Sequence, residues 1–543
     1  MAALNVNASQ LFSVPSVPLA LPTSPAYIIA SILVAVLVAN YISKIVYELY
    51  LSPLRDVPMD WKLIFIPFYG LAWTVSGKSH LFYLKMHRNL GSVVRLNTDT
   101  VSVSDPDVIR WLVRDLDIRK NKFYDVLGDP LKSGDVTPNL LTLRDRSVHK
   151  ELRSKISPAF SIKYLAGLEP QLQEILKEVD AKVESSRVGG SKWASLNIEH
   201  LYHAVTVDFI AATAFGQSLH VVKNGTHLYL QQLAKVFFWT FMVMSLPFAG
   251  IHKLPQVQQL RGAQETLVKS FIDERKRDNA GGKRRADILQ ILLDKDLSPE
   301  ITRSNAGILM AAGSDTTANS LTWATYFLLQ HPVALQKLRL ELDDAFPEGP
   351  DTPLTLTKLK TLPFLTAVIK ETLRLRPVAS KITRVVDEDL IFECTNPDGS
   401  KRSCRIPSGT DVNLFSSGLH RNPRLWVRPD DFWPDRWLSE KVADEEAWGI
   451  VSAPATGQDN RLEEISSPQN TYLEGYMPFS FGARDCIGRN FAWNELRMVL
   501  GHIVHKYDIE PEWDASGPVT EGKEVIMLKP DFNIMVKLRK RTV

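Results

Sequence analysis

Phe479-Ser480-Phe481-Gly482-Ala483-Arg484-Asp485-Cys486-Ile487-Gly488 is the stretch on which the reading of this chain turns. It sets a cysteine between two glycines, behind an arginine and an aromatic residue, just ahead of a helical pattern from Ile487 to Tyr507. A helix start offers unpaired N–H groups and the positive end of its dipole, which favour a negative sulfur. A nearby arginine adds to that field. These surroundings suit a thiolate acting as a metal ligand, which needs donors aimed at sulfur and a lowered pKa. Gly482 and Gly488 are read as letting the backbone wrap closely around the sulfur, and Phe479 as shielding it from water. The competing reading is a structural cysteine buried in a Gly-rich turn, the usual fate of a lone cysteine. The fixed offsets of Phe479, Gly482, Arg484 and Gly488 argue against it.

Working outward, three more motifs precede this loop. Glu371-Thr372-Leu373-Arg374 lies on a helix spanning roughly Phe364–Leu375 and stopped by Pro377. Residues three apart share a helix face, so Glu371 and Arg374 can pair; alone, such a pair is usually a surface salt bridge. Phe432-Trp433-Pro434-Asp435-Arg436-Trp437 supplies a second arginine in an aromatic loop, and a buried glutamate shared by two arginines can lock a loop in place. Ala312-Gly313-Ser314-Asp315-Thr316-Thr317 falls in the middle of a helical run from about Thr302 to Gln330. Gly, Asp and Thr are poor helix formers, and a long helix with a weak centre suggests a local rule broken for function. The expected use is a groove opened at Gly313, with Asp315 and Thr316 relaying protons. The alternative is hydroxyls bonding back to their own helix.

Composition narrows the classes. The chain has 543 residues, 45% hydrophobic and 23% charged, with a net charge of +3. That is ordinary for a globular protein and gives no footing for a nucleic-acid partner. Only Cys394, Cys404 and Cys486 are present. Cys394 and Cys404 flank the turn Asn396-Pro397-Asp398-Gly399 and could meet across a hairpin. They are expected as free thiols, because the catalytic part is read as facing a reducing compartment.

No charged side chain occurs from Met1 to Ser43, and Ala26–Ala39 is its apolar heart. With its flanks this run reaches the ~17–20 residues that cross a bilayer. Lys44, Arg55 and Lys62 follow, which places the C-terminal side in the cytosol. No positive residue precedes the apolar run, as a cleaved signal peptide would require. Asn7-Ala8-Ser9 is a short glycosylation motif on the lumenal side. The rest reads as mainly α with small β-sheets: β-prone runs at Ser92–Leu96, Val101–Val103, Leu390–Phe392, Asp411–Leu414 and Val525–Leu538, with helical patterns between. Asp444–Gln469 reads as an exposed loop.

The order of these motifs, from about residue 140 to the C-terminus, resembles the cytochrome P-450 family, and the anchor with its Pro53/Pro58 hinge is similar to that of the microsomal, fungal-type members. The resemblance implies that family's fold with one N-terminal transmembrane helix. The map is a short lumenal segment (1–25), an anchor (26–43), a hinge (44–60) and a catalytic domain (61–543). It implies haem b with Cys486 as axial ligand, haem-propionate contacts from Arg484, Arg153, His149 and Arg384, and the structural triad Glu371, Arg374 and Arg436. Where members often have Trp, this chain has His149 ahead of Arg153. Activity by resemblance is a monooxygenase inserting one oxygen atom of O2 into a lipophilic small molecule: steroid, terpenoid, polyketide or aromatic, in secondary metabolism. Thr316 and Asp315 serve the proton relay. Electrons come from NADPH through a separate reductase, since no nucleotide-binding fingerprint is present. A haem-thiolate isomerase or dehydratase acting on a peroxide is the alternative; a haem carrier or gas sensor is a third. The implied location is the endoplasmic reticulum membrane, single-pass, with the catalytic domain cytosolic. Substrate contacts are expected at the loop before His149, Val236–Phe248, Ile308–Ala312, Val378–Ile382 and near Val525. Lys381 is a candidate for meeting a polar or acidic group, and Lys150, Arg153 and Lys155 for docking the reductase.

Overall fold

A computed structural model describes residues 24–128, 137–246, 250–285, 287–295, 297–438, 475–513 and 520–542. The Asn7 motif and the Asp444–Gln469 loop lie outside them, as do parts of the loop before His149 and of the Val236–Phe248 run. The chain divides into two units, Met1–Arg55 and Asp56–Val543. In the first, helix α1 (Pro25–Val46) starts with proline at its first turn, where the missing N–H costs nothing. It has no buried residue. Its 22 residues span about 33 Å at 1.5 Å per residue. It is long and apolar enough to cross a membrane.

In the second unit, five helices set the site. They are α2 (Arg146–Ile156), α3 (Ile198–Phe215), α4 (Pro299–Gln330), α5 (Pro363–Leu375) and α6 (Arg489–Lys506). Helix α4 runs unbroken through the weak centre noted above. Ser298 caps its start by accepting from Ile301 N at 3.2 Å, Pro299 opens it, and Pro332 follows its end. From Thr317 to Leu328 every residue is buried, because α3, α5 and α6 all pack against it. Packing therefore carries the helix where propensity does not. Asn197 caps α3 and Asp145 caps α2, each carboxamide or carboxylate oxygen accepting a backbone N–H three residues on.

The strands form four small sheets. β1 (Val93–Arg95), β2 (Thr100–Val103), β3 (Arg119–Lys120), β5 (Ile382–Val385) and β8 (Asp411–Leu414) make one in the order β1-β2-β8-β5-β3. β4 (Ala194–Asn197), β9 (Tyr507–Pro511) and β12 (Met535–Lys540) make a second, with β12 central. β6 (Leu390–Thr395) pairs with β7 (Lys401–Ile406), and β10 (Lys523–Val525) with β11 (Met527–Lys529). The mainly α chain with small sheets is what the sequence pattern predicts.

Cys394 and Cys404 depart from expectation. They form a disulfide across the β6–β7 hairpin, with Cα atoms 6.1 Å apart, inside the separation a disulfide spans. The expectation of free thiols rested on compartment chemistry, while the pairing of the hairpin brings both side chains to one buried face.

Candidate active site

The cysteine loop is fixed by its backbone. Cys486 N donates to Phe479 O at 2.9 Å, closing the loop on itself. Gly482 has φ +74°, and a Cβ there would lie 2.7 Å from Val113 O, so only glycine fits. Gly488 is different. Its φ is −82°, and an added Cβ would sit at an ordinary 3.9 Å from Cys486 Sγ. The expected conformational need for glycine at 488 is not seen; this residue is the cap before α6. Ser480 adopts φ +60°, an uncommon state for a residue with a Cβ that marks local strain. Phe479 is half-buried against the core, 6.4 Å from the Trp493 ring, with Arg489 over its face.

Cys486 is ringed by protein, yet its side chain is open to solvent. Burial pushes the thiol above its ordinary value; the Gly488 amide, Arg489 and Arg153 pull the other way without prevailing. The loop alone therefore does not supply the lowered pKa expected of a ligand thiolate. A bound cation would, since a coordinating thiol gives up its proton outright.

Beside this loop lies a buried cluster of cations. Lys120, Arg384 and Arg484 are each less than a tenth exposed, and Arg153 is half-buried. Arg153 donates to Asp485 O at 2.7 Å and to its carboxylate. Arg484 donates to Leu143 O and Arg144 O, both at 3.0 Å, and lies 3.4 Å from Asp117. Arg384 donates to Thr383 O at 2.9 Å and to the Tyr124 hydroxyl at 3.3 Å. Lys120 donates to Leu140 O and Leu141 O at 3.1 and 2.7 Å. Burial first, then Arg384, Arg484 and Arg153, drives the Lys120 ammonium down to about 6. The same surroundings hold His149 neutral, at about 3, by burial and then by Lys120 and the three arginines.

Lys120 and Tyr124 were not foreseen. Arg119-Lys120-Asn121-Lys122 reads as a solvated basic run, and only the pairing of β3 with β5, which sets Lys120 opposite Arg384, draws the lysine inward.

The glutamate–arginine motif is brought together as the spacing and the aromatic loop suggest. Glu371 Oε1 accepts from Arg374 Nη2 at 2.8 Å, from Arg436 Nε at 2.9 Å and from Trp433 N at 2.9 Å. Its Oε2 accepts from Arg374 Nε and Trp437 Nε1, both at 2.9 Å. Burial alone would raise this carboxyl, but the two guanidiniums overcome it and hold Glu371 at about 2. The remaining guanidinium protons find carbonyls: Arg374 reaches His420 O, Pro429 O and Asp431 O, and Arg436 reaches Val427 O and Arg428 O. Both guanidiniums bind the one carboxylate, and backbone carbonyls spread the remaining positive charge.

On α4 the two relay candidates face different ways. Thr316 Oγ1 donates back to Ala312 O at 2.8 Å, on a side open to solvent. Ala312 itself is exposed, between buried Ala311 and half-buried Gly313. Asp315 turns instead to α3, where its Oδ1 meets His203 Nε2 at 3.2 Å, and its Oδ2 accepts from Asn319 at 3.0 Å. Gly313 also faces α3, where a Cβ would lie 2.9 Å from Ile210 Cδ1. The groove expected at Gly313 is thus a close helix contact, and the open surface is at Ala312. Glu495 of α6, fully buried beside Thr317, is a further unforeseen group; burial lifts its carboxyl well above the ordinary range.

Two other expectations are revised by contacts. Lys381 points inward and pairs with Glu524 at 2.6 Å, so its charge is already met. Lys155 pairs with Glu151 at 2.8 Å on the solvent face of α2.

The cytochrome P450 family model matches residues 62–537. Among curated relatives, the cytochrome P450 monooxygenase FUS8 of Gibberella fujikuroi is 29% identical, covering 84% of each chain. The monooxygenase acrD of Aspergillus aculeatus is 25% identical over 84% of this chain and 86% of its own. The monooxygenase helB3 of Aspergillus fumigatus is 25% identical over 90% of this chain and 91% of its own. With a match across almost the whole second unit, the chain belongs to the cytochrome P450 family of haem-thiolate oxidoreductases, of the fungal type.

Proposed function

We propose that this protein is a haem-dependent monooxygenase that inserts one oxygen atom of O2 into a lipophilic small molecule, with electrons from NADPH through a separate reductase. One observation carries the reading: next to a solvent-open cysteine, Lys120, Arg153, Arg384 and Arg484 meet, among the described residues, the carboxylates of Asp117 and Asp485, the latter shared with Arg489. Three arginines against two carboxylates, with a lysine whose ammonium is driven down beside them, leave a partly buried excess of positive charge. Buried charge is costly unless paired, and the two propionates of haem would pair it. The donor set fits the group: a sulfur to bind iron, and cations to hold a dianion. Haem bound there supplies oxygen activation, with thiolate electron density favouring O–O cleavage.

The chain's own residues set the rest. Cys486 would hold the iron from a loop that Gly482 keeps in a left-handed turn. Arg153, Arg384, Arg484 and Lys120 would hold the propionates, and neutral His149 would offer an N–H beside them. The Glu371 triad keeps the aromatic loop fixed on α5, so the cysteine loop beyond it is held in register. Thr316 holds its hydroxyl proton on Ala312 O at the open side of α4, where it can be passed on, and Asp315, turned here to α3, is the acid we read as its partner in the relay. The names of the relatives support a monooxygenase, and α1 supports a membrane anchor for a chain taking lipophilic substrates. We place the protein in the endoplasmic reticulum membrane, with residues 1–25 lumenal, 26–43 spanning, 44–60 a hinge and 61–543 catalytic in the cytosol.

The test is Cys486→Ser in the full chain. The wild type should bind haem and give the reduced-CO spectrum of a thiolate-ligated iron, and the variant should lose that band while keeping its fold by circular dichroism. An unchanged band in the variant would remove the basis of the reading.

A further inference from the structure

Lys381 stands at the head of a strand that runs into the cation cluster. Strand β5 begins at the next residue and carries Arg384. At roughly 3.3 Å per residue, Lys381 lies within about 10 Å of that arginine along the chain. Protein crowds its ammonium on every side, yet 23% of the side chain stays accessible. Half-buried Tyr83 is enclosed in the same way. A group walled in by protein that keeps free surface borders an interior space, and Cys486 carries the same mark. The walls nearby are apolar. Val378, Ala379 and Ile382 are half-buried beside the lysine, and the apolar helix Leu228–Ser245 packs on β10.

The hydrogen bonds define what such a space can hold. Lys381 Nζ donates to Glu524 Oε1 at 2.6 Å and lies 5.6 Å from the centre of the Tyr83 ring. An ammonium has three N–H donors, so these contacts, among the described residues, leave at least one without an acceptor. Glu524 has no such freedom. It is buried, its Oε1 also accepts from Ser380 Oγ, and its Oε2 accepts from Ser79 Oγ at 2.6 Å. Leu528 N donates to Val378 O at 2.8 Å, which ties the β10–β11 hairpin to the segment before Lys381. Burial lowers the pKa of neighbouring His80, so it adds no charge. One cation therefore faces one fixed anion. Resting on the reading of the protein as a monooxygenase of lipophilic molecules, we propose that Lys381 is a specificity-determining residue that selects an uncharged lipophile through a carbonyl oxygen. A ketone, ester or lactone oxygen takes the spare N–H and needs nothing more from the wall. A carboxylate would set a second negative charge against an ammonium that Glu524 already neutralises. A hydrocarbon leaves the enclosed donor unanswered, which costs affinity. For the lysine alone, polar and acidic partners were both open; Glu524 decides between them.

The experiment titrates full-length, haem-loaded protein in phosphatidylcholine vesicles with two matched sets of probes. One is acetylnaphthalene, ethylnaphthalene and naphthoate; the other is tridecanone, tridecane and tridecanoate. Binding is read as displacement of imidazole, whose own shift of the Soret band shows that haem is in place. The ratio of hydrocarbon to ketone dissociation constants is compared between proteins, so that partition into the vesicles cancels. Wild type should bind at least one ketone more tightly than its hydrocarbon and its carboxylate. In Lys381→Met the ratio for that set should fall about tenfold or more, as one charged hydrogen bond is lost. That variant strands a buried carboxylate, so Lys381→Met combined with Glu524→Gln is tested beside it, with the same fall expected. Glu524→Gln alone frees the ammonium charge, so the carboxylates should bind about tenfold tighter or more while the ketone is kept. An unchanged ratio in the double variant would overturn the proposal. So would a wild type that binds neither ketone more tightly than its hydrocarbon, or carboxylate binding untouched by Glu524→Gln. If imidazole leaves the wild-type Soret band unmoved, the haem reading falls and the carbonyl anchor with it.

Discussion

Two buried ionic clusters in this molecule invite comparison. Around Glu371, one carboxylate answers two guanidiniums, and backbone carbonyls and amides take up the other donors and acceptors. Around Cys486, four cations meet two carboxylates, a lysine is driven down to about 6 and a histidine to about 3. Burial is similar in the two places and so is the ratio of cations to carboxylates; the positive excess is one charge around Glu371 and, with Lys120 protonated, two around Cys486, where Lys120 and His149 are driven down. A closed cluster is complete in the folded chain and serves the fold. An open cluster costs stability until an anion arrives, which marks a binding site.

The comparison breaks most visibly at Glu371. Glu371→Leu leaves Arg374 and Arg436 buried without a counter-charge, and should cost about 3–5 kcal/mol, read by urea unfolding. A loss within half a kcal/mol would mean the triad is not the closed cluster described. In the open cluster the sign should reverse. Lys120→Met removes a disfavoured charge, so the haem-free protein should melt higher, while haem affinity falls about tenfold or more with one charged hydrogen bond of ~1.5–3 kcal/mol lost. Equal affinity in a haem titration would take Lys120 out of the site.

A pH experiment sharpens the same contrast. With a folded pKa of about 6 and an unfolded one near 10.4, Lys120 binds fewer protons folded than unfolded between those values. Haem-free stability should therefore rise with pH across that window, and Lys120→Met should flatten the rise. Glu371 works oppositely and lower: its folded pKa of about 2 contributes stability above its unfolded value that is lost as pH falls toward 2. The smallest effects come from the loop glycines. Gly482→Ala should cost about 1–2 kcal/mol or more, for a left-handed backbone and a clash with Val113 O. Gly488→Ala should stay within about 0.5 kcal/mol; comparable losses by thermal melting would contradict the different backbones seen at the two positions.

The sequence alone determined the local patterns. The spacing of Glu371 and Arg374 put both on one helix face, Pro377 stopped that helix, and the apolar run to Ala39 needed no partner to be read as a spanning segment. It also singled out Cys486 with Arg484 and Gly482, because motif offsets are local facts. What depends on distant pairing was decided only by the tertiary structure. Lys120 became a site residue because β3 lies on β5, Gly313 became a helix contact because α3 packs on α4, and Asp315 met His203 from 112 positions away. The Cys394–Cys404 bond likewise followed from hairpin pairing over compartment expectation. The physical reason is common to all of these. Helix period and proline stops act through neighbouring residues, whereas burial and charge balance depend on which distant segments share a space.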